Sequence, residues 1–313
     1  MILTKGSILK LIAVKETIFM LTANEWKDYD LIDAGNGERL ERWGKYILRR
    51  PDPQAAWPII TENKQLWERA DAHYIRSQSG GGHWEYFSSL PGRWTIKYKN
   101  LSFYVQPMGF KHTGLFPEQA VNWEWIVSKI KSQIKSGNEN VKVLNLFAYT
   151  GAATVAAASA GAEVCHVDAA KGMVNRAKEN LSLSGLRERT VRFIIDDAIK
   201  FTRREKKRGR FYDAVIMDPP SYGRGPGGEV WKIEDNLYDL ILLCMEILSD
   251  KPLFFLINTY TTGLSPVVLR NILTITAKKR LGGYVSENEI GLPISSSNLV
   301  LPCGAFGRWE ACI

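Results

Sequence analysis

The sequence predicts an α/β protein, with a doubly wound parallel sheet preceded by a smaller, mainly β domain. Three observations predict this class. Beyond residue 140, short apolar runs alternate with stretches of helical length, which is the order of βαβ units. Before residue 110, short segments alternate with turn-forming residues, as in hairpins and meanders. The 313 residues, 45% of them apolar, are enough for two hydrophobic cores.

The predicted β domain covers residues 1–110. Its segments are separated by the turns G-N-G, W-G-K and P-D-P. We expect strands at Tyr29–Asp33, Arg39–Trp43, Tyr46–Arg49, Trp94–Tyr98 and Ser102–Gln106. In the first 19 residues, Lys5, Lys10, Lys15 and Glu16 interrupt an apolar stretch, which argues against an export signal. We expect this segment to be peripheral to the fold.

Basic residues stand among the Trp and Tyr residues of this domain. They admit two interpretations: a platform for nucleic acid, or the solvated faces of edge strands, where Lys and Arg discourage aggregation. The residues concerned are Arg39, Arg42, Lys45, Arg49, Arg50, Arg76, Lys97 and Lys99.

The second predicted domain covers residues 111–313, and a helix within Phe110–Ile134 joins it to the first. We expect strands at Val141–Phe147, Glu163–Val167, Val191–Ile195, Ala214–Met217 and Leu253–Asn258. The expected helices are Ala152–Ala160, Ala170–Ser184, Ala198–Lys207, Asn236–Leu248 and Pro266–Leu281. Two further strands, Ser286–Leu292 and Gly307–Cys312, close the chain.

The first βαβ unit, Val141 to Asp168, points to a nucleotide-like ligand. Its turn contains one glycine, Gly151, whereas a dinucleotide-binding turn has three that admit a pyrophosphate. Asp168 ends the second strand, where a carboxylate can accept hydrogen bonds from both hydroxyls of a ribose. A ribose without phosphate fits S-adenosyl-L-methionine, so NAD and FAD are disfavoured.

Acidic residues also end the third and fourth strands. Asp197, in Asp196-Asp197-Ala198, can accept from an adenine amino group, although an acid here is also an ordinary helix N-cap. The fourth strand ends in D-P-P-S-Y, where Pro219 and Pro220 stiffen the chain after Asp218. A rigid strand end suits methyl transfer, because an in-line displacement depends on positioning.

Charge and cysteine content bear on partners and compartment. The net charge of +8 favours binding to polyanions, with nucleic acid as the leading candidate.

The four cysteines form no C-x-x-C pair and have no His at metal-ligand spacing, so no metal site is expected. No apolar run approaches the roughly 18 residues of a membrane span. We expect a cytoplasmic protein that binds neither metal nor membrane, and its oligomeric state is left open.

As a set, these motifs resemble those of the bacterial S-adenosylmethionine-dependent methyltransferases of large-subunit ribosomal RNA. The resemblance rests on N-L-F-A-Y-T-G-A-A-T-V, Asp168, D-D-A, D-P-P-S-Y and the upstream T-G-L-F-P-E-Q. It covers roughly residues 110–312. It implies a Rossmann-like methyltransferase sheet, S-adenosyl-L-methionine as the cofactor and RNA, most directly ribosomal RNA, as the partner.

The resemblance also implies roles for individual residues. The cofactor-binding set is Phe147, Ala148, Tyr149, Thr150, Gly151, Asp168, Asp197 and Asp218. Within it, Phe147, Tyr149, Thr150 and Gly151 line the methionine part, Asp168 binds the ribose and Asp197 the adenine. The catalytic set beside the acceptor base is Asp218, Pro219, Pro220 and Tyr222.

Two departures from the family pattern concern the acceptor and the RNA. Cytosine C5 methylation requires a nucleophilic thiolate after the fifth strand, yet Thr261 or its neighbour occupies that position. No PUA domain is recognisable ahead of the β region. Cys303 is the only substitute thiol, and we interpret it as a small residue in a turn. Methylation on nitrogen is therefore favoured, with guanine N7 slightly ahead of an exocyclic amine.

An RNA base methyltransferase is the first functional hypothesis. A methyltransferase of small molecules or proteins on the same fold is the second, because the fold does not determine the acceptor. A non-catalytic RNA-binding relative that keeps the cofactor pocket is the third.

Overall fold

The computed structural model describes residues 20–77, 81–137, 140–224, 228, 230–261 and 263–312. The prediction for residues 1–19 lies outside the described residues. The strands of the amino-terminal half are β1 (Met20–Thr22), β2 (Tyr29–Gly35), β3 (Glu38–Trp43), β4 (Tyr46–Pro51), β5 (Ala72–Arg76), β6 (Gly82–Tyr86), β7 (Trp94–Tyr98) and β8 (Leu101–Val105). Those that follow are β9 (Lys142–Leu146), β10 (Glu163–Asp168), β11 (Val191–Ile195), β12 (Ala214–Met217), β13 (Tyr222–Arg224), β14 (Val230–Lys232), β15 (Phe254–Thr259), β16 (Tyr284–Pro293) and β17 (Val300–Glu310).

The helices are α1 (Lys64–Trp67), α2 (Ala120–Lys135), α3 (Ala152–Ser159), α4 (Lys171–Leu183), α5 (Ala198–Lys207), α6 (Ile233–Met245), α7 (Pro266–Leu273) and α8 (Lys279–Leu281). A π-helical turn, Thr274–Lys278, joins α7 to α8. Short 3-10 turns, Thr61–Asn63 and Pro117–Gln119, precede α1 and α2.

An eight-stranded sheet with the order β1-β16-β17-β15-β12-β9-β10-β11 forms the centre of the structure. Its strands run parallel except β17, which is antiparallel to both β15 and β16. A short connection between β16 and β17 requires that direction, because only antiparallel neighbours can be joined by a hairpin. The predicted α/β fold class is confirmed, with this one antiparallel strand added.

Alternate residues of the central strands pack on opposite faces of the sheet. On one face, Val143 and Leu256 belong to the cluster that includes residues of α2 and α3. On the other, Leu144 and Phe255 pack with residues of α5, α6 and α7. Strands covered on both faces are mostly apolar throughout, which is why they read as short hydrophobic runs in the sequence.

Several predicted boundaries shift by a few residues. The joining helix begins at Ala120, inside the predicted range Phe110–Ile134, because Pro117 opens the 3-10 turn that precedes it. The helix expected at Asn236–Leu248 starts at Ile233, directly after β14. The two closing strands are longer than expected, and Cys312 lies beyond the end of β17.

The amino-terminal region contributes a five-stranded sheet, β2-β3-β4-β5-β6, and the β7–β8 hairpin. It also contributes β1, which pairs with β16 at the edge of the central sheet. One hydrophobic cluster contains Leu31 and Trp43 of this region together with Val143 of β9. The division of the chain at residue 110 stays a prediction.

Two of the basic residues in this region fit neither interpretation given above. Arg39 and Arg50 are buried, and both pair with the buried carboxylate of Glu41. Although burial acts to raise it, the charges of Arg39 and Arg50 lower the pKa of Glu41 to about 2. These arginines are internal counterions, because each has a carboxylate partner inside the protein.

Candidate active site

Two adjoining cavities lie where β9, β10, β11, β12 and β15 end. The larger, of about 340 Å³, is within the size range of small-molecule sites; the smaller is about 50 Å³. Four residues line both cavities: Phe116, Phe147, Tyr149 and Asp218. The carboxyl ends of parallel strands are the usual ligand-binding edge of such a sheet.

The turn after β9 has an unusual backbone. Phe147, Tyr149 and Gly151 all have positive φ angles, of 53°, 49° and 82°. Only glycine adopts that region at no cost, so the two aromatic residues are strained, a property common at ligand sites. At Gly151 a Cβ atom would approach the Cβ of Ala177 to 2.6 Å, so glycine allows α3 to lie close to α4.

Asp168, at the end of β10, ties this turn to the neighbouring strand. Its Oδ2 accepts from the backbone N–H of Tyr149 at 2.8 Å, and its Oδ1 accepts from Ala170 at 2.8 Å. Burial raises the pKa of Asp168, although these two hydrogen bonds act to lower it. Each oxygen has a second lone pair, so a carboxylate held in this orientation can still accept from a ligand in the larger cavity.

Asp197 lines the larger cavity and caps α5, so the N-cap interpretation is confirmed and its role toward an adenine stays a prediction. Its Oδ1 accepts from the backbone N–H of Lys200 at 2.9 Å, which is N-cap geometry. The adjacent Asp196 also lines the cavity and forms an ion pair with Arg204.

Asp218 follows β12 at the junction of the two cavities. Its Oδ1 is buried and has no hydrogen-bond partner among the described residues. Burial, and then the nearby charge of Glu118, raise the pKa of Asp218 to about 7. Glu118 is only 2% exposed, and burial raises the pKa of its carboxyl as well. A carboxyl group with a pKa near neutrality and an unpaired oxygen is typical of functional sites.

The Pro219-Pro220 segment is held from the side by Trp231. The indole Nε1 of Trp231 donates to the carbonyl oxygen of Pro220 at 2.6 Å, and its ring contacts Phe147 at a centroid distance of 4.9 Å. Trp231 belongs to β14, which pairs with β13. The proline segment therefore has a fixed position at the cavity wall.

Most residues of the predicted site line these cavities. Asp168, Asp197, Pro219 and Pro220 line the larger one, Ala148, Thr150 and Gly151 the smaller, and Phe147, Tyr149 and Asp218 line both. Tyr222 does not: its side chain is exposed on β13, and its hydroxyl accepts from Arg224 Nε. The other two residues of this strand, Gly223 and Arg224, line the larger cavity, whereas the ring of Tyr222 turns to solvent.

Two distant segments contribute an aromatic group to the site that the sequence did not predict. Phe116 contacts Tyr149 and Tyr260 at centroid distances of 5.6 Å, and it contacts His112 at 5.5 Å. Burial, and then the charge of Arg50, lower the pKa of His112 to about 4, so its imidazole is neutral. The T-G-L-F-P-E-Q segment, quoted above only as part of the resemblance, contains Phe116 and was the available signal.

Cys303 is a poor candidate for a nucleophile. Its thiol is buried, donates to the carbonyl oxygen of Leu301 at 3.3 Å and does not line either cavity. Burial, and then the charge of Glu118, raise the pKa of Cys303 well above its usual value. After β15, Thr261 shares a hydrogen bond of 2.6 Å with the hydroxyl of Ser221. The hydroxyl groups of Ser221 and Thr261 thus lie where a cytosine C5 methyltransferase of the resembled family would carry its cysteine.

The described residues contain neither a candidate metal centre nor a candidate membrane-spanning helix. In the described part of the chain, no group of three or more His, Cys, Asp or Glu side chains could hold a metal ion. Among the described helices, none has the length and apolar character needed to cross a bilayer.

The fold and the site define an α/β protein with a nucleoside-sized crevice, an acid at the end of its second core strand and a rigid acidic segment beside it. Residues 64–245 match the family model described as S-adenosylmethionine-dependent methyltransferase. The chain belongs to that family, whose cofactor is S-adenosylmethionine.

Solved structures agree with this assignment. The S-adenosylmethionine-dependent methyltransferase from Agrobacterium tumefaciens is 37% identical, with a TM-score of 0.87 over 94% of this chain and 93% of that chain. A methyltransferase structure from Streptococcus mutans is 18% identical, with a TM-score of 0.68 over 91% of this chain and 76% of that chain. The second likeness concerns the fold alone.

Curated relatives match only in part. Ribosomal RNA large subunit methyltransferase I of Photobacterium profundum is 29% identical over 156 residues, 50% of this chain and 37% of that protein. Ribosomal RNA large subunit methyltransferase K/L of Shewanella frigidimarina is 30% identical over 149 residues, 47% of this chain and 20% of that protein. The matched stretches span well under half of the relatives' own lengths.

Proposed function

We propose that this protein transfers a methyl group from S-adenosylmethionine to a nitrogen atom of an RNA base, in ribosomal RNA. The observation that carries the proposal is Asp218: its carboxyl group lies at the junction of the two cavities, and its buried Oδ1 has no hydrogen-bond partner within the described part of the chain. At that junction one side chain can reach both a cofactor and an acceptor.

The cofactor occupies both cavities in this proposal. Its adenosine lies in the larger one, with the ribose on Asp168 and the adenine amino group on Asp197. Its methionine part lies in the smaller one, along the strained turn from Phe147 to Gly151. The fit is supported by the free lone pairs of Asp168 and by the absence of a glycine-rich phosphate site in the turn.

The acceptor base enters beside Asp218, Pro219 and Pro220. The cofactor supplies an electrophilic methyl group whose bond to sulfur breaks as the new bond to nitrogen forms. The carboxylate of Asp218 orients the base by accepting a hydrogen bond from it, and it takes the proton that an exocyclic amine releases. Phe116 and Tyr260 supply aromatic surface for a base removed from its stack. Pro220 is held by Trp231, which preserves the in-line geometry.

We assign a nitrogen as the acceptor atom because methylation at cytosine C5 would require a reactive thiol. A C5 mechanism requires a thiolate that adds to the ring, and the high pKa of buried Cys303 disfavours that form. Methylation of guanine N7 or of an exocyclic amine needs no covalent intermediate between the enzyme and the base. The hydroxyls of Ser221 and Thr261 are far weaker nucleophiles at neutral pH.

The RNA substrate and the compartment rest on two supports. Relatives bear the names of ribosomal RNA large subunit methyltransferases, and the net charge of +8 favours a polyanion. Ribosomal RNA modification places the protein in the cytoplasm. Incubation with labelled S-adenosylmethionine and unmodified ribosomal RNA tests the proposal; methylation of protein or small molecules with none of RNA would contradict it.

A further inference from the structure

Arg308, on β17, is a buried cation with no acidic hydrogen-bond partner among the described residues. Arg308 is only 7% exposed. Its guanidinium carbon stacks on two aromatic rings, 3.9 Å from the ring centroid of Phe306 and 4.7 Å from that of Trp125. Burial lowers the pKa of Arg308 to about 9. A buried charge is costly unless it is paired and hydrogen-bonded, and aromatic stacking compensates only part of that cost.

Arg308 begins a chain of hydrogen bonds that reaches the smaller cavity. Its Nη2 donates to Oδ1 of Asn122 at 2.5 Å. Nδ2 of Asn122 then donates to Oε1 of Gln119 and to Oδ1 of Asn258, both at 2.8 Å. Nε2 of Gln119 donates to the hydroxyl of Tyr260 at 2.6 Å. Gln119 and Asn258 line the smaller cavity, and Tyr260 lines the larger.

The chemistry of the groups fixes the direction of this chain. A guanidinium can only donate, so the atom of Asn122 that it meets must be the carbonyl oxygen. The amide nitrogen of Asn122 therefore faces Gln119 and Asn258, and both must turn their oxygens toward it. Their own N–H groups are left for other partners. Nδ2 of Asn258 has no hydrogen bond to protein within the described residues, and Asn258 lines the cavity.

From this we infer that Arg308 is a positioning residue that orients the amides of Asn122, Gln119 and Asn258 so that the smaller cavity presents N–H donors to an anionic group. The anion is the α-carboxylate of the cofactor's methionine part, so the inference rests on the cofactor placement given under Proposed function. The positive charge of Arg308 behind these amides favours the same group. Replacing Asn122 by an acid would reverse the amides and present carbonyl oxygens instead.

Two ligands separate this role from a structural one. S-adenosylhomocysteine carries the carboxylate, whereas 5′-methylthioadenosine has the same nucleoside and thioether without the amino-acid part. Calorimetric dissociation constants are measured for both with wild-type protein, Arg308→Met, Asn122→Asp and the control Arg270→Met. Arg270 is an exposed cation on α7 that pairs with Glu287, away from the chain of amides. Asn122→Asp keeps Arg308 paired, so it remains informative if Arg308→Met does not fold.

We expect Arg308→Met and Asn122→Asp to weaken S-adenosylhomocysteine binding by roughly tenfold to a hundredfold, the range for hydrogen bonds to a charged group. Binding of 5′-methylthioadenosine should stay within about threefold, and Arg270→Met should bind both ligands as wild type does. Equal losses for the two ligands, or unchanged S-adenosylhomocysteine binding in Asn122→Asp, would overturn the role of Arg308. Absence of S-adenosylhomocysteine binding by wild-type protein would instead contradict the cofactor site, and no outcome depends on RNA.

Discussion

The backbone N–H of Tyr149 donates a 2.8 Å hydrogen bond to Oδ2 of Asp168, and this bond holds a residue with a φ of 49°. Two neighbouring strands of the central sheet are thereby connected at their carboxyl ends. The acid proposed to bind a ribose also stabilises the strained turn that lines both cavities. Binding and local stability are therefore coupled at Asp168.

The first prediction concerns this coupling. Asp168→Ala removes the ribose acceptor and releases Tyr149, so we expect the affinity for S-adenosylhomocysteine to fall by about 1.5–3 kcal/mol and the melting temperature to fall as well. Calorimetry and thermal unfolding measure the two effects. Asp250→Ala is a matched control, because Asp250 is exposed and lines neither cavity. Unchanged affinity would mean that the ribose is bound elsewhere.

Local sequence signals predicted the strands and their acidic ends. Asp168 and Asp218 each follow a short apolar run, and the order of strands brings those runs together at one edge of the sheet. The sequence did not indicate which distant side chains complete the cavities. Phe116 and Tyr260 are far apart in the chain, and their contact depends on the packing of α2 against β15.

The burial of charged side chains could not be predicted from the sequence either. Arg39 and Arg50 looked like surface residues. Glu41 follows Arg39 by two residues on β3, but Arg50 of β4 is seen to share this carboxylate only once the register of β3 and β4 is known. Tyr222 belongs to the catalytic set that the family resemblance implies. The turn into β13 instead leaves its ring exposed.

A second prediction concerns the single glycine of the turn. Gly151→Ala should destabilise the protein by about 1–3 kcal/mol, because the new Cβ would meet Ala177 and the φ of 82° disfavours alanine. Urea unfolding measures the change. Gly172→Ala, within α4 and with nothing within 4 Å of the new Cβ, should be neutral or stabilising. Equal stability of the two variants would show that Gly151 is not required for close packing.

The raised pKa of Asp218 predicts a pH dependence of stability. The folded protein keeps this proton to about pH 7, whereas the unfolded chain loses it near 3.8. The stability contributed by the protonated group is fully present below the unfolded pKa and is lost as the pH rises through the folded one.

Asp218→Asn should remove this dependence. The free energy of unfolding of Asp218→Asn relative to wild type should therefore rise between about pH 4 and pH 8, by an amount on the order of a few kcal/mol. Urea unfolding across that range gives the difference. A constant difference between the two proteins would contradict the raised pKa.

The fourth prediction concerns the absence of thiol chemistry. Cys303→Ser should keep methyl transfer within about threefold of wild type, because the buried thiol lies outside both cavities. RNA that contains 5-fluorocytosine should not trap the wild-type protein covalently. An inactive but folded Cys303→Ser protein, together with a trapped complex, would restore cytosine C5 as the acceptor.

The most direct test of the proposed function is methyl transfer to ribosomal RNA taken from a strain that lacks this protein, followed by mass analysis of the nucleosides. Wild-type protein should produce one base methylated on nitrogen. Asp218→Ala should produce none while binding S-adenosylhomocysteine within roughly tenfold of wild type, because Asp218 is proposed to act on the acceptor. If wild-type protein bound the cofactor yet left this RNA unmethylated, or if Asp218→Ala remained active, the proposed function would be contradicted.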